Sequence, residues 1–243
     1  MCLIIAVTAA WAETGISAKI SSAVSAGLGA NDLSDMAWDG HTLWVSGSGT
    51  LTRHISNFGT VYDWRAYRQM NGFGKGAIYS LAASGDTVVV SWGWTEDYQG
   101  EPATMGDGLS ISIDGGESWS HIPVTTLFPD RAQYATPGRY TATWDIVLAR
   151  NTIWCCTLSG FLLKSTDLGK TWTNILPDAG PLNLTNPNHY GQCLDAYGDT
   201  LWVGTFMGMN VSFDRGKNWK NYSWSLDDKN DLSKTKPGNF VYA

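Results

Sequence analysis

Ser165-Thr166-Asp167-Leu168-Gly169-Lys170-Thr171-Trp172 is one of three copies of a single spacing, Ser-x-Asp-x-Gly-x-x-Trp. The other copies are Ser112, Asp114, Gly116 and Trp119, and Ser212, Asp214, Gly216 and Trp219. In this spacing short Ser and Asp side chains satisfy turn amides, Gly supplies a positive φ, and Trp returns to cover the turn. Each copy therefore reads as the turn of a β-hairpin with its own lid.

A second phrase repeats upstream of the boxes. It is a β-rich core, Thr-Leu-Trp-Val-Ser at 42–46, Thr-Val-Val-Val-Ser at 87–91, Thr-Ile-Trp-Cys-Cys at 152–156 and Thr-Leu-Trp-Val-Gly at 200–204. Thr42, Thr87, Thr152 and Thr200 stand 45, 65 and 48 residues apart, so one interval carries an insertion. A turn signal precedes each core (Asp39-Gly40, Gly85-Asp86, Arg150-Asn151, Gly198-Asp199), and another apolar run precedes that. Strand, tight turn, strand is a hairpin. A glycine after each core (Gly49, Gly108, Gly160, Gly208) leads into a third strand that ends at the box, whose Trp begins a fourth. Four antiparallel strands repeated every 45 to 50 residues make a β-propeller blade.

The boxes resemble the Asp box of bacterial neuraminidase repeats, carried by β-propellers such as sialidases, xyloglucanases, sortilin-type receptors and photosystem assembly factors. The expected fold is all-β, with four blades at about 35–66, 76–122, 142–175 and 191–223. The first blade has a decayed box, Asn57-Phe58-Gly59 followed by Tyr62 and Trp64. Residues 238–243, Gly-Asn-Phe-Val-Tyr-Ala, match Gly76 to Leu81, which open the second blade. They read as the start of a fifth blade in a larger propeller, completed by further blades or a partner chain; a four-bladed ring closed by that strand is the other reading. Residues 13–34 read as a linker or capping strand. Residues 1–12 resemble the apolar core and small-x-small end of a secretory signal that lacks its basic start; a plain apolar N-terminus is the other reading.

Bulk composition narrows the classes. A chain of 243 residues, 43% hydrophobic and 16% charged, is an ordinary globular protein, and 13 Trp, 10 Tyr and 27 Gly suit short strands and tight turns. A net charge of −6 with no Lys/Arg run argues against nucleic acid or an anionic membrane as partner. No stretch approaches 18 apolar residues, so no transmembrane segment is expected. With no Cys-x-x-Cys pair and no ligand spacing among His41, His54, His121 and His189, neither metal nor cofactor is expected. Of Cys155 and Cys156 only one could meet Cys193, because adjacent strand residues face opposite ways. Equally, all three read as small buried apolar side chains.

The regular aspartates Asp114, Asp167 and Asp214 read as structural, since identical turns on successive blades spread around a ring and do not converge on one substrate. The boxes occupy one face, so the long segments fall on the other. Candidate ligand-binding residues there are Trp94, Glu96, Asp97, Tyr98 and Glu101 in the blade-two insertion, and Arg131, Tyr134 and Arg139 in the 123–141 connection. His189 and Tyr190 in the 176–192 connection complete the set. Enzyme readings find less support. The Arg-Ile-Pro signature of sialidases is absent around Arg53, Arg65 and Arg68. Of the two catalytic carboxylates a xyloglucanase needs, Asp97 or Asp145 would supply one at most. Catalytic residues are unassigned. Sequons at Asn183, Asn210 and Asn221 carry little weight, Asn210 least because it lies in a strand.

The expected function is a secreted or envelope-associated, non-enzymatic propeller that binds a glycan or protein ligand on the face opposite the boxes. The alternatives are a glycoside hydrolase or sialidase-like enzyme with part of its site in further blades, and a structural or assembly-factor domain.

Overall fold

The computed structural model describes residues 28–55, 63–68, 72–131, 138 and 140–222. The apolar start, the decayed box at 57–59 and the strand expected at 238–243 lie outside these residues. Among the described residues sixteen strands form four antiparallel sheets of four, each in sequence order. Blade one holds β1 (Asp35–Trp38), β2 (Thr42–Gly47), β3 (Thr50–Ile55) and β4 (Asp63–Arg68). Blade two holds β5 (Ala77–Ser84), β6 (Thr87–Tyr98), β7 (Glu101–Ser112) and β8 (Ser120–Ile122). Blade three holds β9 (Thr143–Ala149), β10 (Thr152–Thr157), β11 (Phe161–Ser165) and β12 (Thr173–Ile175). Blade four holds β13 (Gly191–Tyr197), β14 (Thr200–Thr205), β15 (Gly208–Ser212) and β16 (Lys220–Tyr222). This is an all-β arrangement of four propeller blades, with successive first strands packed side by side.

The second strands are apolar on both faces because blades cover both. Val88, Val89 and Val90 are fully buried; Val88 and Val90 pack with Trp44 and Trp92, while Val89 packs with Ile146, Ile153 and Leu163 of blade three. The third residue of the first three core phrases reaches the next blade, as Trp44 does towards blade two, Val89 towards blade three and Trp154 towards blade four. The box glycine of that blade makes room. A Cβ on Gly116 would lie 2.5 Å from the Trp44 ring, one on Gly169 would lie 2.4 Å from Ile111 Cδ1, and one on Gly216 would lie 3.3 Å from the Trp154 ring. These glycines also have φ of +88°, +85° and +78°.

The three boxes share one hydrogen-bond scheme. The Ser Oγ donates to Asp Oδ1 at 2.8 Å and accepts from the Gly amide at 2.8 Å in every copy. The same Oδ1 accepts an amide at 2.9 Å from the residue before the Trp, Ser118, Thr171 or Asn218, and Oδ2 accepts that residue's side chain. Trp119 and Trp172 return their indole N–H to the box glycine carbonyl at 3.2 and 3.0 Å, whereas Trp219 Nε1 finds no acceptor among the described residues. The fourth strand starts one residue after each box Trp, not at it as expected.

Cys155, Cys156 and Cys193 are buried, and among the described residues none of them forms a disulfide. Cys156 is the one that meets Cys193, its Sγ 3.5 Å from the Cys193 carbonyl.

Two outcomes test this scaffold. Gly116→Ala would place a side chain at φ +88° against Trp44 and lower stability by roughly 1–3 kcal/mol in chemical denaturation. Asp114, Asp167 and Asp214 are each held down to about 2, first by the side chains of Ser118, Thr171 and Asn218. Their stabilisation is present above the ordinary value of 3.8 and disappears as pH falls through about 2. Replacing all three by Asn therefore lowers Tm at pH 7 and shrinks the fall in Tm between pH 4 and pH 2; an acid profile identical to wild type would contradict this.

Candidate functional site

The turn between the first two strands of a blade lies beside the box: Gly115 N donates to Asp86 O at 2.9 Å and Arg215 N to Asp199 O at 3.0 Å. The inner strands β5, β9 and β13 therefore begin on the opposite face. At that end all three carry the same irregularity. Register shifts leave Tyr79, Trp144 and Gln192 as extra residues between paired neighbours. Such β-bulges re-aim a side chain. The Tyr79 and Trp144 rings, from adjacent blades, stack with centroids 4.9 Å apart and planes 26° from parallel. Burial pushes the Tyr79 hydroxyl above its ordinary pKa, against a hydrogen bond with Thr95.

Thr95 belongs to an arm. The blade-two insertion, expected as a loop, is a continuous β-hairpin in which β6 and β7 run twelve residues each to a turn at Gln99-Gly100. Period-two alternation of Trp94, Glu96 and Tyr98 is what keeps it in the ladder. Cross-strand pairs Trp94–Met105, Glu96–Ala103 and Tyr98–Glu101 put these side chains on one face with the buried Ala103 and Met105. Trp94 Nε1 donates to Glu96 Oε2 at 3.0 Å. Asp97 points to the other face, its Oδ1 accepting the Gly100 amide at 3.1 Å. The arm is tied down by Gly106 N to Gly138 O at 2.7 Å and Tyr140 N to Thr104 O at 2.8 Å.

The remaining candidates fall elsewhere. His189 is 1% exposed. Its Nδ1 accepts the Asn183 amide at 3.1 Å and its Nε2 meets Asp178 Oδ2 at 3.0 Å, so the ring anchors the 176–190 loop from inside. Tyr190 stacks on Phe206 at 5.6 Å and donates its hydroxyl to Leu184 O. Arg131 ends the 3-10 turn Pro129–Arg131. Its side chain, Tyr134 and Arg139 lie outside the described residues. Asn210 is fully buried in a network with Asn188 and Asn221, which rules it out as a glycan acceptor in the folded chain.

Two inner-strand carboxylates hold blades together. Asp35 accepts the Met36 amide at 2.7 Å and, across the seam, the Leu81 amide of blade two at 2.8 Å. Asp145, at the same register position, accepts Ile146 N at 2.9 Å and Leu194 N of blade four at 2.7 Å. Burial pushes Asp145 up to about 6, against both hydrogen bonds, and the charges of Asp35 and Asp195 add to the rise. Blade two has Ser80 at this place, and there Ser91 Oγ donates to Thr143 O at 2.9 Å instead. With both oxygens committed to backbone amides, Asp145 is a clip and not a free acid. Among the described residues no group of three or more His, Cys, Asp or Glu could hold a metal ion.

Comparison with known proteins agrees with the fold. No protein-family model matches the chain, and no curated protein matches it. Among solved structures, an ancestral GH74 enzyme aligns over 79% of this chain at 13% identity with a TM-score of 0.53. The extracellular domain of BT4673 from B. thetaiotaomicron aligns over 87% at 19% identity with a TM-score of 0.50. At these identities the likeness shows the β-propeller fold alone. This chain spans 24% of the length of each. The two differ in kind, one an enzyme and the other an extracellular domain. No helix of the described residues is long and apolar enough to cross a membrane.

The raised Asp145 has a measurable sign. Its stabilising contribution is full below about pH 4 and is lost as pH rises through about 6. Asp145→Asn removes that titration, so the decline in Tm between pH 4 and pH 6 flattens relative to wild type; an unchanged slope would contradict the assignment.

Proposed function

We propose that this chain is an Asp-box propeller of the cell exterior or envelope that binds a glycan, without turning it over, on the face opposite the boxes. The supporting observation is the Tyr79–Trp144 stack, delivered by matching bulges from two adjacent inner strands. Beside it stands the arm, held through the hydrogen bond between Tyr79 and Thr95, with Trp94, Glu96 and Tyr98 on the arm's other face. Aromatic surface edged by the Tyr79 and Thr95 hydroxyls matches a saccharide, whose C–H faces pack on rings while its hydroxyls hydrogen-bond at the edges. Loops and arms on a rigid scaffold carry function at little cost to the core. The box aspartates and both clip carboxylates are engaged by their own turns and seams, whereas Glu96, Asp97 and Glu101 belong to the arm.

A glycan-array screen of the purified chain tests this reading. Binding should be lost or weakened at least about tenfold, roughly 1.4 kcal/mol, in Trp144→Ala and in the Trp94→Ala/Tyr98→Ala double variant. Asp167→Asn should bind as wild type below its Tm. Absence of binding to every array member, or binding that survives both variants, would overturn it.

A further inference from the structure

Blade seams repeat, so one seam shows what a corresponding place in another is built to hold. In the seam between blades one and two, Arg53 pairs across the ladder with Trp44 and Arg65. Its Nη1 donates to Gly115 O at 2.7 Å and Glu117 Oε1 at 3.1 Å. Arg65 Nη1 meets both Glu117 oxygens at 2.9 Å. A carboxylate from the box of blade two is thus clamped by two cations of blade one. Those hydrogen bonds, Arg65 first, hold Glu117 below its ordinary value.

In the seam between blades three and four the clamp is altered: Thr173 stands at the Arg65 position, and a cation stands where Glu117 does. Lys164 takes the place of Arg53, pairing across the ladder with Trp154, and its Nζ sits 4.9 Å from the Trp154 ring centre. In the box of blade four, Ser212 to Trp219, Arg215 stands where Gly115 does and Lys217 where Glu117 does. Arg150 joins from the β9–β10 turn. Against these four cations stands Asp199, and both guanidinium groups use the same oxygen: Arg150 Nη1 and Arg215 Nε lie 2.9 and 2.7 Å from Oδ1. Lys217 is close enough that its charge also acts on Asp199. A cleft of about 100 Å3 is lined by Arg150, Trp154, Lys164, Asp199 and Arg215; Lys217 is outside the lining and acts on it by charge through Asp199.

We propose that this cleft binds a small oxyanion of the sulfate or phosphate type, which takes the position that the Glu117 carboxylate holds in the first seam. Guanidinium and ammonium donors give oxyanions short, charge-assisted hydrogen bonds. Like charges crowded in a cleft lose their mutual repulsion when such an ion enters. The site lies on the box face and is independent of the glycan surface.

Titrating the isotope-labelled full chain with sodium sulfate, and separately with sodium chloride at matched ionic strength, tests the proposal by amide chemical shifts. Sulfate should shift Gly198, Asp199 and Arg215 saturably, with a Kd on the order of 1–10 mM, and chloride should not. Lys217→Glu supplies the missing carboxylate from within; it should weaken sulfate at least tenfold and raise Tm in chloride. Lys164→Gln should weaken sulfate without that gain in Tm. A sulfated disaccharide that shifts the same amides, when its unsulfated form does not, would support the site and point to a saccharide source. Equal responses to sulfate and chloride, or a sulfate response unchanged in Lys217→Glu, would overturn it.

Discussion

Everything else in this propeller depends on one cage: a serine hydroxyl that bonds its aspartate and a glycine amide at once. That hydroxyl fixes the carboxylate, the carboxylate fixes the chain three to four residues on, and the chain delivers a tryptophan back over the turn. The cage is local, but its consequence is not. It presents a glycine with no side chain to the preceding blade, where a tryptophan or isoleucine fills the space. Blade-to-blade packing thus starts from turn chemistry, and the apolar seams follow from it. The seams differ in how their polar edges are completed: arginine–glutamate in the first, and lysine, arginine and a single aspartate in the third.

Because one face is occupied by turns that close on themselves, variation concentrates at the other. There the inner strands bulge, and an extra residue costs little since the strand has no further neighbour on its inner side. Blade two goes further and extends its second and third strands into an arm. Repetition of a bulge on three inner strands is what allows side chains from different blades to meet, as Tyr79 and Trp144 do. The same geometry explains why the regular aspartates cannot cooperate with one another: each is consumed by its own turn.

The blades were legible in the sequence because both determinants, box spacing and the Thr-led core phrase, are local and period-bound. Other features were not. The arm read as a loop because its length breaks the repeat, although Trp94, Glu96 and Tyr98 already alternate as a strand would. Tyr79 and Trp144 disappeared into apolar runs; aligning the copies at Ser34, Tyr79, Trp144 and Gln192 would have exposed them as one level of the inner strands. His189 looked like a surface histidine because its loop is polar, and only the tertiary partners Asp178 and Asn183 show that the ring is an internal anchor. Asp145 could be noticed as a carboxylate, but its reach to Leu194 on another blade has no signature in local sequence.

In the proposed function the two faces divide the work, with closed turns on one and saccharide contact on the other. Amide hydrogen exchange of the full chain, with and without a saccharide found by array screening, tests it most directly. The account predicts added protection in 77–80, 93–98 and 143–145, with exchange at Gly116, Gly169 and Gly216 slow and the same in both states. Saccharide-dependent protection at those three glycines, with none in the arm or the inner-strand bulges, would contradict it.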